Sequence, residues 1–197
     1  MALINITPVM TSNTTPAPYV ASGSTLYNNT FDYYKVFNGT LTATNDAWLA
    51  SSTTGFVSLD FGVETTIDAF SIVARQDTSD YSNVAPKSFI LYGGNDELSM
   101  EQLYVGHNEI LWHSKESRLF KLPTSFTYRI YKLVVTENNG HASVCGIGLL
   151  QFFKRDGMTP TIQNKTMSLK YSLPFASKLR LDNLTSDLTY MLATEDD

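Results

Sequence analysis

One cysteine, three histidines and only 17% charged residues are what this 197-residue chain has little of, and each scarcity excludes something. A single thiol allows no intrachain disulfide. Cys145 sits between Val144 and Gly146 in an apolar run, where it reads as a small buried hydrophobe. His107, His113 and His141 are scattered without metal-ligand spacing, and no serine carries the flanking glycines of a nucleophile elbow, so no catalytic residue is identified and no enzyme is expected. Glu97 and Glu101 read as solvated surface beside a turn. The net charge of -5, without any cluster of Lys and Arg, lacks the electrostatic footprint of a nucleic-acid or anionic-membrane binder. The opening stretch MALINITPVMTSNTTP has neither a basic start nor a continuous apolar run. No secretory signal or membrane span is therefore expected, and folding in a reducing compartment is. On that expectation the N-x-S/T sequons, at Asn5, Asn28, Asn38, Asn164 and Asn183 among others, are a by-product of Asn and Thr richness.

What is present is the composition of short strands joined by polar turns: 43% hydrophobic residues, with eleven Tyr and eleven Phe. In FVSLDF (56–61), Val57, Leu59 and Phe61 alternate against Ser58 and Asp60, and Gly62 marks a turn. Further strands are expected at 67–74, 88–92, 118–122, 128–136 and 147–153, with Pro123 and the segment ENNGHAS among the separators. No helical period competes with them, so the fold class is all-β, a sandwich or jelly roll. The length suits one domain, residues 1–157, followed by a C-terminal arm, 158–197. In the arm, TMSLKYSLP places Met167, Leu169, Tyr171 and Leu173 on one face until Pro174 stops the strand. That face either folds back on the sandwich or pairs with the edge of a neighbouring chain. A short helix is expected from Ser186 to Leu192, and the acidic end is expected to fray.

The order of these segments resembles the discoidin, or coagulation-factor C-type, domain family, akin to the galactose-binding-like modules. YVASGSTLYNNTFDYYKVFNGT (19–40), DAWLASS (46–52), FVSLDFGVETTIDAFSIVARQD (56–77), APKSFILYGGND (85–96) and YRIYKLVVTENNG before VCGIGLLQFF carry the likeness. It implies a galactose-binding-like jelly-roll β-sandwich. Trp48 is then a buried anchor of the two-sheet core, Trp112 a second packing ring or a loop residue, Pro86 the lead into an edge strand, and Gly93-Gly94 the positive-φ residues of a tight turn.

The resemblance also implies two sites. Its calcium site takes an Asp, carbonyls, a hydroxyl and a Glu; here the Asp position is Asn38, and the Glu falls on Leu149, or on Gly146 if the alignment slips by three. Asn38, Thr40, Thr42 and Asp46 are the oxygen donors that remain, and no cofactor is expected. Its sugar site takes an Arg, a His and a stacking aromatic at one end of the sandwich. Arg75 matches the arginine, Leu49 stands at the histidine and His141 at the last-loop aromatic. Tyr27, Tyr33, Tyr34, Asp77, Tyr81, Asn139 and His141 are the loop residues that could complete a carbohydrate site with Arg75, which alternatively pairs with Asp77 or Asp80.

The missing family disulfide and the arm resemble stand-alone discoidin-like proteins of tailed-phage virions. This points to a virion structural or decoration protein, made in the host cytoplasm, whose partners are other virion proteins or copies of itself in a symmetric assembly. The alternative is a carbohydrate-binding adhesin module that grips a cell-surface glycan.

Overall fold

A computed structural model describes residues 2–80 and 82–157. Among the described residues nine strands form in chain order: β1 (Leu3–Asn5), β2 (Val20–Gly23), β3 (Trp48–Ala50), β4 (Gly55–Val73), β5 (Pro86–Gly94), β6 (Met100–Gly106), β7 (Ser117–Asn138), β8 (Cys145–Ile147) and β9 (Leu149–Arg155). The all-β expectation holds; a single 3-10 turn, Tyr33–Phe37, interrupts the strands. Seven strands share one hydrogen-bonded sheet in the order β1-β9-β4-β7-β5-β6, with β2 on β4, while β3 and β8 form a small second sheet.

The sheet becomes a sandwich because its two longest strands bend. Residues 55–60 of β4 pair with 135–130 of β7, and residues 69–73 of β4 pair with 121–117 of β7. Between these ladders each strand makes an excursion that the other does not match. Residues 61–64 bulge opposite Arg129, and residues 122–125 bulge opposite Asp68. Gly62, at φ +75°, turns the first excursion, as its sequence position suggested. The second contains Pro123. Pro123 does not separate 118–122 from 128–136 as expected: the chain continues as one strand, because a residue without an N–H is tolerated where the ladder already skips.

Two buried polar groups hold the bend. Tyr131, fully buried, donates its hydroxyl to the Thr65 carbonyl at 2.6 Å, lies 3.0 Å from the Phe126 carbonyl and accepts the Tyr128 N–H at 3.1 Å. Asp68, 4% exposed, accepts the Ser125 hydroxyl and the Arg155 N–H, each at 2.6 Å. Tyr131→Phe keeps the ring packing and deletes only the hydroxyl. It should cost about 2–3 kcal/mol, the usual penalty for unpaired buried backbone groups, seen as a lower urea midpoint at an unchanged m-value.

Phe70 and Phe120 of one layer meet Phe89 of the other at centroid distances of 6.2 and 5.1 Å. Trp48 is fully buried in the core, as expected of an anchor. Trp112 is buried too. Its indole N–H donates to the Pro86 carbonyl at 2.8 Å and the Arg118 guanidinium lies 4.2 Å over its ring, so it packs rather than reads a ligand.

Gly93 and Gly94 depart from the expected turn. Both lie in β5 outside the positive-φ region, and a side chain at Gly93 would meet the Tyr128 ring at 2.6 Å. Close packing, not turn geometry, explains these glycines. Pro86 opens β5 as expected, but β5 is an inner strand, paired with both β6 and β7. The arm strand with Met167, Leu169, Tyr171 and Leu173 lies outside the described residues, as does Tyr81.

Candidate functional site

Three loops that are remote in sequence meet at one end of the sandwich. The segment after β2 brings Tyr27 and Phe31; the β4–β5 loop brings Arg75, Asn83 and Val84; the β7–β8 loop brings His141, Ser143 and Val144. With Leu49 of β3 they line a cavity of about 340 Å³. Its floor is apolar, because Leu49, Val84 and Val144 form a satellite core against which Phe31 packs. Backbone bonds tie the walls together: the Tyr27 N–H donates to the Leu49 carbonyl at 2.9 Å and the His141 N–H to the Asn83 carbonyl at 3.2 Å.

The polar groups are held before any ligand arrives. His141 accepts the Ser143 and Val144 N–H groups on Nδ1, both at 3.2 Å. A nitrogen that accepts carries no proton, so the donor of this ring is Nε2–H. Asn138, buried, fixes the same loop by donating to the carbonyls of His141 and Val144 at 2.8 Å each while it accepts the Gly140 N–H at 3.0 Å. Arg75 places its Nε 3.0 Å from Asp77 Oδ1, and its Nη2 donates to the same oxygen, which leaves Nη1 outside the pairing. Of the two pairings open to Arg75 from sequence, the one with Asp77 forms. The guanidinium also lies 5.9 Å over the Phe31 ring, and Tyr27, 55% exposed, meets Phe31 edge-on at 6.0 Å.

Of the residues singled out from sequence, Arg75, Tyr27 and His141 therefore converge, and Asp77 stands behind Arg75. Tyr33 and Tyr34 do not join them. Both pack against the main core, Tyr33 with its hydroxyl on the Ser24 carbonyl at 3.0 Å. Asn139 spends its amide on the Ala85 and Glu109 carbonyls, each at 3.0 Å, and so builds a loop. Phe31, Val84 and Val144 were missed, and Leu49 was seen only as a missing histidine. Phe31 and Val84 are apolar residues of loops, while Leu49 stands in β3 and Val144 adjoins the apolar run of β8.

The residues left at the calcium position do not fit a calcium ion. Asp46 takes the Asn38 amide at 2.6 Å on Oδ1, and the Thr40 hydroxyl at 2.8 Å and Thr42 N–H at 3.2 Å on Oδ2. The Thr40 N–H binds Asn38 Oδ1 at 2.8 Å, which turns the amide's donor end, not its oxygen, toward the carboxylate. Leu149 and Gly39 line one small apolar void of about 40 Å³ nearby. Among the described residues no three His, Cys, Asp or Glu side chains are grouped to hold a metal. Cys145 is buried and burial pushes its thiol up to about 12, away from nucleophilic reactivity. A second cavity, also about 340 Å³, is lined among the described residues by Leu3, Asp68, Lys121 and Arg155, none of them aromatic.

A family model described as Sad1/UNC-like C-terminal matches residues 29–156, well over half of the chain. No curated protein sequence matches it. Among solved structures, the chain is similar to a family 32 carbohydrate-binding module of Streptococcus pneumoniae EndoD, with 15% identity over 77% of this chain and 100% of that one at TM-score 0.59. It is similar to a module from Clostridium perfringens in complex with GalNAc-β-1,3-galactose, with 16% identity over 69% and 95% of the chains at TM-score 0.56. It is also similar to the family 32 module of AlyQ in complex with 4,5-unsaturated mannuronic acid, with 18% identity over 68% and 93% at TM-score 0.52. These likenesses place the described chain among the galactose-binding-like β-sandwiches, where the discoidin resemblance put it.

Proposed function

The chain belongs to the Sad1/UNC-like C-terminal family, and we propose that its sandwich is a non-catalytic carbohydrate-binding module that holds a sugar end in the cavity between Tyr27, Arg75 and His141. One observation carries the reading. Three sequence-remote loops bring Arg75 and His141, whose partners engage Nε, Nη2 and Nδ1 but not Nη1 or Nε2, to a cavity with an apolar floor and a half-exposed tyrosine at its rim. A sugar ring needs that combination: donors for its hydroxyl oxygens, and an apolar surface for its C–H face. His141 takes over, from another loop, the imidazole that Leu49 cannot supply. The complexes of similar folds with GalNAc-β-1,3-galactose and mannuronic acid favour this reading over the virion one.

The test is a glycan array followed by titration calorimetry on any hit. Arg75→Ala should weaken binding about 10–100-fold, the worth of one charged hydrogen bond, with the fold intact by circular dichroism. A blank array, or hits that Arg75→Ala leaves unchanged, would remove the proposal.

A further inference from the structure

We infer that Asp77 is the specificity-determining residue of this cavity and that it restricts the ligand to an uncharged sugar end, excluding uronic and other acidic sugars. The inference rests on the glycan reading above. Among the described residues that line the cavity Arg75 alone is a Lys, Arg, Asp or Glu, and its charge is already matched by Asp77, whose Oδ1 receives both Nε and Nη2. The two side chains are 19% and 11% exposed, so water screens the pair little. Asp77 Oδ2 is buried and accepts no hydrogen bond, which leaves the carboxylate dependent on Arg75 for its compensation.

An acidic ligand would have to share this one guanidinium with a second carboxylate nearby, or draw it away and strand Asp77. A hydroxyl has no such conflict, because it can accept from Nη1 without adding charge. Nor is the Asp77 backbone free to move aside. Its N–H donates to the Ser114 hydroxyl at 3.0 Å, and that hydroxyl lies 3.2 Å from the Asp77 carbonyl oxygen, to which it donates. The Lys115 N–H reaches the Arg75 carbonyl at 3.5 Å. The loop before β7 thus clamps the Arg75–Asp77 backbone from behind. Since modules of this fold occur with both uncharged and uronic ligands, the fold alone leaves ligand charge open, and the second carboxylate is what decides it here.

The experiment uses the full chain on an array of matched pairs: galactose with galacturonic acid, glucose with glucuronic acid, mannose with mannuronic acid. The wild type should favour the neutral member of its preferred pair by about tenfold or more. Asp77→Asn keeps an acceptor oxygen for Arg75 while it removes the negative charge, and should shift the neutral-to-acid ratio by about tenfold toward the acid. A wild type that binds the acid equally well or better overturns the inference, and this result needs no variant to fold. An unchanged ratio in a folded Asp77→Asn also overturns it, while the glycan reading survives. No binding of any pair sinks the glycan reading and this inference together.

Discussion

Replacing Asp68 by alanine is expected to destabilise the domain by about 3–4 kcal/mol. The carboxylate stands opposite the 122–125 excursion and joins three strands: its own β4, β7 through the Ser125 hydroxyl, and β9 through the Arg155 N–H. Each of these bonds to a charged acceptor is worth about 1.5–3 kcal/mol, and truncation leaves both donors without a partner. The Arg155 guanidinium adds little. Its Nε is 3.3 Å from Oδ1, but the side chain is 51% exposed and the pair is screened.

The same site gives a pH signature. Burial pushes the Asp68 carboxyl up, but the Arg155 N–H, the Ser125 hydroxyl and the charges of Arg155 and Lys154 outweigh it and hold the group below its ordinary value of 3.8. A folded-state pKa below the unfolded one means stability that is fully present above the unfolded value and lost as pH falls through the folded one. The gap between wild type and Asp68→Asn should therefore be constant from about pH 7 to pH 5 and close below about pH 4. Urea unfolding at three pH values reads it. A gap that ignores pH would mean that Asp68 is not held ionised by these donors.

Asp68 also shows where the sequence was opaque. The alternation in FVSLDF exposes the first half of β4, because one of its faces is buried against the other layer. The second half reads as a plain apolar run, and nothing local says that the two halves are one strand folded over a bulge. That is settled by Asp68, Ser125 and Arg155, which are distant in the chain. β6 went unread for a related reason: in MEQLYVG the adjacent polar residues Glu101 and Gln102 break any alternation, and only Leu103 and Gly106 are buried. At the cavity, Arg75 and His141 were legible because the discoidin resemblance aligns them with its sugar site, and Tyr27 because a tyrosine among polar loop residues bears a recognisable chemistry. Tyr33 and Asn139 bear the same chemistry but spend it on Ser24, Ala85 and Glu109, partners set by the fold rather than by local composition. The floor was invisible, since a leucine in a short strand or a valine in a loop looks the same whether it seals the main core or a pocket.

Gly146 links that floor to the core, and Gly146→Ala is expected to damage both. It lies opposite Leu49 in the short β3–β8 pairing, where a Cβ would sit 2.1 Å from the Trp48 carbonyl oxygen and 2.4 Å from Leu49 Cδ2. The first of these is backbone and cannot rotate away. The N–H of Gly146 also donates to the Val84 carbonyl at 2.9 Å, so relief of the clash by sliding β8 would pull on the β4–β5 loop. Overpacking against backbone costs about 3 kcal/mol or more, and for a domain of this size that lowers Tm by about 6–12 °C. Leu49 and Val84 are floor residues, so whichever way the strands shift, the cavity changes shape. Sugar affinity at a temperature where the variant is still folded should therefore fall by about tenfold or more, although Gly146 touches no ligand. Scanning calorimetry and titration on the same preparation test both halves. A lowered Tm with wild-type affinity would show that the floor is built independently of the β3–β8 pair. An unchanged Tm would show that the two strands can part without cost.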